Sequence, residues 1–373
     1  MKIAIISTRG IPNNYGGFEQ FAEFISVGLV RKGHQVTVYS PSYHQYKEGS
    51  FRGVRIKHIY SPEPWMGGAI GSFFYDFLSL KDALKNKTFD IIYDCGYTSI
   101  IPAYILLAIS KIKKPIIITN MDGLEYKRTK FNRLVQSFIF WEEKQAVKLS
   151  HAMIADNMGI KEYIKFKYKR DSEFIPYGAN VPNNFTHTCL ELFGIKPDKY
   201  YLLIARMEPE NNIEMIIAGY EQFFDDKPLV IVGNTNTKFG KKMKRKYSKL
   251  KQIRFVGGIY NVETLNALRH YSSVYFHGHS VGGTNPSLLE AMAAKCLIAA
   301  HDNGFNRSTL CDNALFFSNA TDVTNIIRLS VSELGEYKQK FVPPNLHNIN
   351  TIYTWDNIVD KHEMFFKNIM QRM

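Results

Sequence analysis

The strongest constraint on this chain is a rhythm. Short runs of β-branched and apolar residues alternate, along nearly the whole sequence, with amphipathic stretches of helical length. Candidate strands are Lys2–Ser7, Gln35–Ser40, Val54–Tyr60, Ile91–Tyr93, Pro115–Asn120 and Met153–Asp156, then Tyr200–Arg206, Leu229–Gly233, Ile253–Gly257, Val274–His277 and Cys296–Ala300. Between them lie helix candidates such as Phe18–Lys32, Phe131–Leu149, Ile213–Phe223, Val262–Tyr271 and Pro286–Ala294. Strand and helix in succession specify a parallel, doubly wound sheet, because parallel neighbours need a crossover and a helix supplies it.

The series stops at Pro176-Tyr177-Gly178-Ala179-Asn180-Val181-Pro182-Asn183-Asn184, a linker composition, and then restarts. Two Rossmann-like domains are therefore expected, over residues 1–180 and 181–346. From His347 to Met373 a helical apolar pattern resumes through Ile358, Val359, Phe365, Phe366 and Ile369, and this helix is expected to pack back toward the first domain. Two such domains facing one another would bring their strand C-terminal ends to one cleft, the place where ligands bind in sheets of this kind.

Composition narrows the classes. With 373 residues, 45% hydrophobic and 22% charged, the chain buries ordinary cores and is neither disordered nor collagen-like. Its net charge of +13 is uneven: residues 1–180 hold 25 basic and 16 acidic side chains, residues 181–373 hold 22 and 18. The basic runs Lys111–Lys114, Lys127–Arg133 and Lys161–Arg170 all fall in the first half, where a solvated helix face or an anionic lipid surface would account for them. Cys95, Cys189, Cys296 and Cys311 form no C-x-x-C pair and read as buried fillers in a reducing compartment. No metal site is implied. The apolar N-terminus is too short for a signal peptide, and Ile100–Ile109 is about half a bilayer span. A cytoplasmic protein, peripheral at most on the inner face of the membrane, is expected.

Several strand ends carry groups suited to anions. After the first strand, Gly16 and Gly17 lead into a helix, where bare N–H groups would approach an oxyanion closely; a tight turn requiring only positive φ would use the same glycines. G-x-G-x-x-G is missing, so no dehydrogenase fingerprint exists. Arg206 follows the first strand of the second half, placed to grip a diphosphate or to pair with Glu208 or Glu210. The loop Gly282-Gly283-Thr284-Asn285 enters a helix at Pro286, a second anion site, with Glu290 one turn inside as a sugar-hydroxyl acceptor or a solvated carboxylate. Asp122 stands where a strand meets the cleft, as an acid–base group or as half of an Asp-Gly turn. His277 and His279 lack a third ligand nearby, so packing or substrate contact is favoured over metal binding.

Taken together, the Gly16-Gly17 loop, the Arg206 strand end and Gly282–Met292 followed by Cys296–Ala300 resemble the family-4 retaining glycosyltransferases of the GT-B class, over nearly the whole chain. More narrowly, Thr8-Arg9-Gly10-Ile11-Pro12, Tyr15–Glu19, Asp122–Glu125, Glu208–Asn212 and Gly283–Pro286 look like bacterial polysaccharide rhamnosyltransferases. The resemblance implies transfer of L-rhamnose from dTDP-L-rhamnose to a polyprenyl-diphosphate-linked saccharide, with retention and without a metal or other cofactor. It implies that Arg206 and the N–H groups of Gly283 and Thr284 neutralise the leaving diphosphate, with Gly16, Gly17, Asn211 and Asn285 in the donor site and Glu290 on the ribose. The acceptor would meet Tyr15, Asp122 and Glu125, with Asp122 orienting it or serving as auxiliary base. Where the family has E-x7-E, the first position is Gly282, and its usual lysine matches Asn211, an arrangement compatible with a 6-deoxy-L-sugar. Rival readings are a UDP-hexose transferase, a nucleotide-sugar epimerase on the same fold, or a non-catalytic glycan-binding protein. A nucleic-acid role finds no recognisable module.

Overall fold

The computed structural model describes residues 1–373 except Asn14, Tyr15, Asn86, Asp122, Thr129, Lys130, Phe224, Asp225 and Met373, together with the side chain of Ala69. Two compact units result. The first comprises residues 1–126, 133–177 and 355–373, and the second residues 127–132 and 178–354.

The first unit is built on an eight-stranded sheet. Its strands are β1 (Lys2–Ile6), β2 (Gln35–Pro41), β3 (Ser50–Phe51), β4 (Val54–Ile59), β5 (Ile91–Asp94), β6 (Ile116–Asn120), β7 (Ala152–Ala155) and β8 (Glu173–Phe174), in the order β3-β4-β2-β1-β5-β6-β7-β8. Every neighbouring pair is parallel except β3 and β4. That edge hairpin is absent from the sequence reading: Arg52 and Gly53 both take positive φ, as a two-residue hairpin turn requires, but Arg is not a residue that signals such a turn. Central strands are apolar on both faces, and Ile3–Ile6 are wholly buried, because helices cover both sides of the sheet.

The far end of the chain completes this unit. Helix Trp355–Arg372 lays Trp355 flat on Phe24, with ring centroids 4.3 Å apart, and sets Val359 against Gly28, where a Cβ would lie only 2.4 Å from the valine methyl. Buried His362 meets the Tyr93 hydroxyl at 3.3 Å. The apolar pattern from His347 is divided between two helices: Leu334–Thr351, which carries Pro343 and Pro344 inside it, and Trp355–Arg372.

The second unit is a six-stranded parallel sheet: β9 (Tyr201–Ile204), β10 (Leu229–Val232), β11 (Ile253–Gly257), β12 (Val274–His277), β13 (Ile298–His301) and β14 (Leu315–Phe317), ordered β11-β10-β9-β12-β13-β14. Its core joins Tyr201 and Leu203 of β9, Ile231 of β10 and Phe276 of β12 with Ile213, Ile216 and Ile217 of the helix that follows β9. In each unit the strand order reverses at one place, between β1 and β5 and between β9 and β12. Loops leave on opposite faces there and open a crevice at the carboxyl ends. The cysteines divide: Cys95 and Cys296 are buried, whereas Cys189 is partly exposed and Cys311 exposed, so filling apolar space describes only the first two.

Candidate functional site

The crevice of the second unit is bounded by the loops after β9 and β12, and these are fastened together. Asn212, at φ 49°, turns the chain into helix Ile213–Glu221 and donates from Nδ2 to the Gly278 carbonyl at 2.8 Å. The Glu210 carbonyl accepts from the Ser280 N–H at 3.1 Å and its hydroxyl at 2.8 Å. Gly278 permits this approach, since a Cβ there would stand 2.1 Å from the Asn211 carbonyl oxygen. Asn211, at the lysine position of the resemblance, donates its amide to the Arg206 carbonyl at 2.7 Å and so closes the loop that carries the arginine.

Arg206 is exposed and has no ion-pair partner among the described residues. Its alternative role, pairing with Glu210, is filled by Arg128, 3.8 Å from that buried carboxylate; Arg128 lies in the segment 127–132 that groups with this unit. Among the described residues no ion pair joins Arg206 to Glu208 either, and a guanidinium at a strand end without an ion-pair partner is a free anion ligand.

Across the crevice, Gly282 stands at φ +136° with open space on its Cβ side. Thr284 is buried, and Asn285 caps helix Pro286–Ala293 by accepting from the Ser287 N–H at 2.9 Å. The His279 carbonyl is held away by Asn303 and Asn306, which donate to it at 3.1 and 3.0 Å. The resulting pocket is lined by His279, Gly282, Gly283, Asn285, Asn303 and Asn306 among others, a polar surface beside the positive end of a helix.

Behind it lies a buried network. Arg269, 2% exposed, donates to Glu290 at 2.6 Å and to the Ser287 hydroxyl at 3.2 Å. Ser287 in turn meets the Tyr275 hydroxyl at 3.0 Å, and the His277 ring stacks on His279 with centroids 4.4 Å apart. Burial holds both histidines below their ordinary value, His279 to about 3, with Arg206 and Arg128 adding to the effect, so both rings are neutral near pH 7. His277 Nε2 and His279 Nδ1 have no hydrogen-bond partner among the described residues. Glu290 is thus aimed by a cation that sequence reading missed, because Arg269 sits in helix Val262–His270 without any motif around it.

In the first unit, the loop after β1 is shaped by Ser7 at φ 57° and Gly10 at φ +90°. A Cβ on Gly10 would stand 2.3 Å from the Ser40 hydroxyl. Gly16 is extended, at φ −152°, so positive φ is not its requirement; its smallness admits the Glu19 carboxylate, which accepts the Arg9 N–H at 2.9 Å. Gly17 opens helix Gly17–Arg31. Glu125 begins a short 3-10 turn and is partly buried; Tyr15 and Asp122 lie outside the described residues. The carboxyls of Asp76 and Asp94 come together under the crevice, both raised by burial to about 7, and Glu142 is raised likewise. Asp94, at the end of β5, accepts from Tyr104 at 2.8 Å. Its strand-end position was the one sequence signal for this cluster.

Residues 193–334 match the family described as glycosyl transferases group 1, and residues 1–180 match one described as a domain of unknown function (DUF1972). The second unit thus carries a glycosyl transferases group 1 domain, and the chain has the GT-B fold. No curated protein matches its sequence. Among solved structures, the chain is similar to sucrose-phosphate synthase from Thermosynechococcus elongatus, with a TM-score of 0.81, 14% identity and full coverage of both chains. It is similar as well to a glycosyltransferase from Rickettsia africae (0.73, 16% identity, covering 100% of this chain and 99% of that one). A third relative is HepE of Anabaena in complex with UDP-glucose (0.73, 13% identity, covering 99% and 100%). At such identities the likeness shows the fold. Among the described residues no group of three His, Cys, Asp or Glu side chains is placed to hold a metal ion, and no helix is long and apolar enough to cross a membrane.

Proposed function

We propose that the chain transfers L-rhamnose from dTDP-L-rhamnose to a polyprenyl-diphosphate-linked saccharide, with retention and without a metal. The observation that carries the donor part is the crevice of the second unit. An unpaired Arg206 and the glycine-rich entry to helix Pro286–Ala293 stand at one topological switch point, offering a cation and main-chain donors to a diphosphate. Charge builds on the diphosphate as the bond to the sugar breaks, and these groups stabilise that charge. Glu290, fixed by Arg269, accepts from a ribose hydroxyl; dTDP offers only the 3′-hydroxyl. Gly282 leaves open the room where a glutamate would touch a D-hexose, which favours a 6-deoxy sugar.

The family's same-face course asks the departing phosphate oxygen to help deprotonate the acceptor, so no protein nucleophile is assigned. From the first unit, Gly16 and Gly17 are assigned to the donor diphosphate, and Glu125, Asp122 and Tyr15 to the acceptor, all by resemblance. A second reading, a UDP-hexose donor, is favoured by HepE, which was solved with UDP-glucose.

Calorimetric binding against dTDP-, UDP- and GDP-sugars tests the proposal. Selective binding of dTDP-L-rhamnose is expected, with Arg206→Ala weakening it about a hundredfold while the exposed site leaves stability unchanged. Selective binding of a UDP-hexose would replace the first reading with the second. Binding that is insensitive to Arg206 would remove both.

A further inference from the structure

The helices on one side of the first unit expose large apolar side chains to an extent that its crevice does not use. The tip Glu63–Met66 presents Trp65 and Met66, and helix Gly68–Lys85 adds Ile70 and Phe74. Helix Ile101–Leu106, which packs against Gly68–Lys85, ends on exposed Ile105 and Leu106. Helix Arg133–Leu149, packed on it in turn, shows Leu134, Phe138 and Trp141, spaced four and three residues apart on one face. Large exposed apolar side chains gathered on adjoining helices mark a contact in use.

Charge decides what covers it. On Arg133–Leu149 the cations Arg133, Lys144 and Lys148 are exposed, whereas both acids, Glu142 and Glu143, are buried. Lys111, Lys113 and Lys114 extend the exposed positive rim after helix Ile101–Leu106. On Gly68–Lys85, Asp76 is buried and Asp82 is paired with Lys57; at the tip, Glu63 is paired with Arg9. No acidic side chain of these four helices is fully exposed. A second copy docking through the same face would set like charges against each other. An anionic lipid leaflet matches both the apolar centre and the basic rim.

We propose that these adjoining helices are a leaflet-inserting face, which buries Trp65, Phe138 and Trp141 among acyl chains while the lysine rim meets anionic headgroups. It deepens the reading above, on which it rests only for the reason a leaflet is needed: a polyprenyl acceptor resides there.

The three tryptophans make the test direct. Trp65 is 85% exposed, Trp141 39% and Trp355 only 7%. Vesicles containing phosphatidylglycerol should shift the emission of Trp65 and Trp141 to the blue, and lipids brominated in the acyl chain should quench them, as single Trp→Phe variants apportion. Leu134→Ser with Phe138→Ser and Trp141→Ser should lower vesicle partitioning at least ~10-fold. Trp65→Ser, on an exposed tip where folding is not at risk, should lower it in part. Nucleotide-sugar binding should stay unchanged in both. Lys111→Gln with Lys113→Gln and Lys114→Gln should weaken binding to anionic vesicles but not to pure phosphatidylcholine. Partitioning that ignores the apolar substitutions, emission untouched by brominated lipid, or self-association that shields the tryptophans without vesicle binding would each overturn the proposal. Vesicle insertion by a chain that binds no donor sugar would leave it standing and remove the transferase reading alone.

Discussion

Gly278→Ala puts the construction of the second crevice to a direct test. The added methyl would stand 2.1 Å from the Asn211 carbonyl oxygen, more than about 1 Å inside ordinary contact, and the opposing atom is backbone. Either the loop after β9 or the loop after β12 must retreat. Retreat endangers three hydrogen bonds: Asn212 to the Gly278 carbonyl, and the Ser280 N–H and hydroxyl to the Glu210 carbonyl. At about 1 kcal/mol each they set an upper loss near 3 kcal/mol, of the same size as the ~1–3 kcal/mol of overpacking a tight site. A loss of ~2–3 kcal/mol is expected, read as a thermal midpoint lower by ~5–10 °C for a unit of this size. Nucleotide diphosphate affinity should fall with it, because Arg206 and Gly283 ride on the displaced loops. Gly304→Ala is the control: nothing lies within 4 Å of its Cβ position, so its midpoint should stay near that of the parent. A Gly278→Ala chain that melts with the parent and binds nucleotide equally well would refute the claim that these loops are locked in contact.

Two further outcomes follow from buried charge. Arg269→Met should cost about 2–4 kcal/mol in denaturant unfolding, since Glu290 loses its buried cation, and much less in a Glu290→Gln background; equal costs in the two backgrounds would show that the pair is not coupled. Asp76 and Asp94, raised to about 7 by burial, hold their protons more tightly folded than unfolded. Their contribution to stability is therefore complete below about pH 4 and drains away as pH rises through about 7. Asp76→Asn or Asp94→Asn should flatten that decline in unfolding profiles taken from pH 4.5 to 8, and curves that stay parallel to the parent would contradict the assignment.

The sequence by itself determined the alternation of strand and helix, hence two parallel α/β sheets, because hydrophobic period is a local property that survives any tertiary setting. It marked the loops after β1, β9 and β12 through glycine, proline and strand-end charge. It did not mark the Arg52-Gly53 hairpin, whose turn lacks the usual residue types, nor the short strands Glu173–Phe174 and Leu315–Phe317, which owe their existence to neighbours already in place. Only tertiary structure decided partners. Arg206 stays unpaired because Arg128 takes Glu210; Glu290 is oriented by an arginine twenty-one residues earlier; Asp76 and Asp94 share one buried space although eighteen residues separate them. Which charges meet, and which faces of amphipathic helices remain uncovered, depends on how the layers stack, and no residue's immediate neighbours in sequence carry that information.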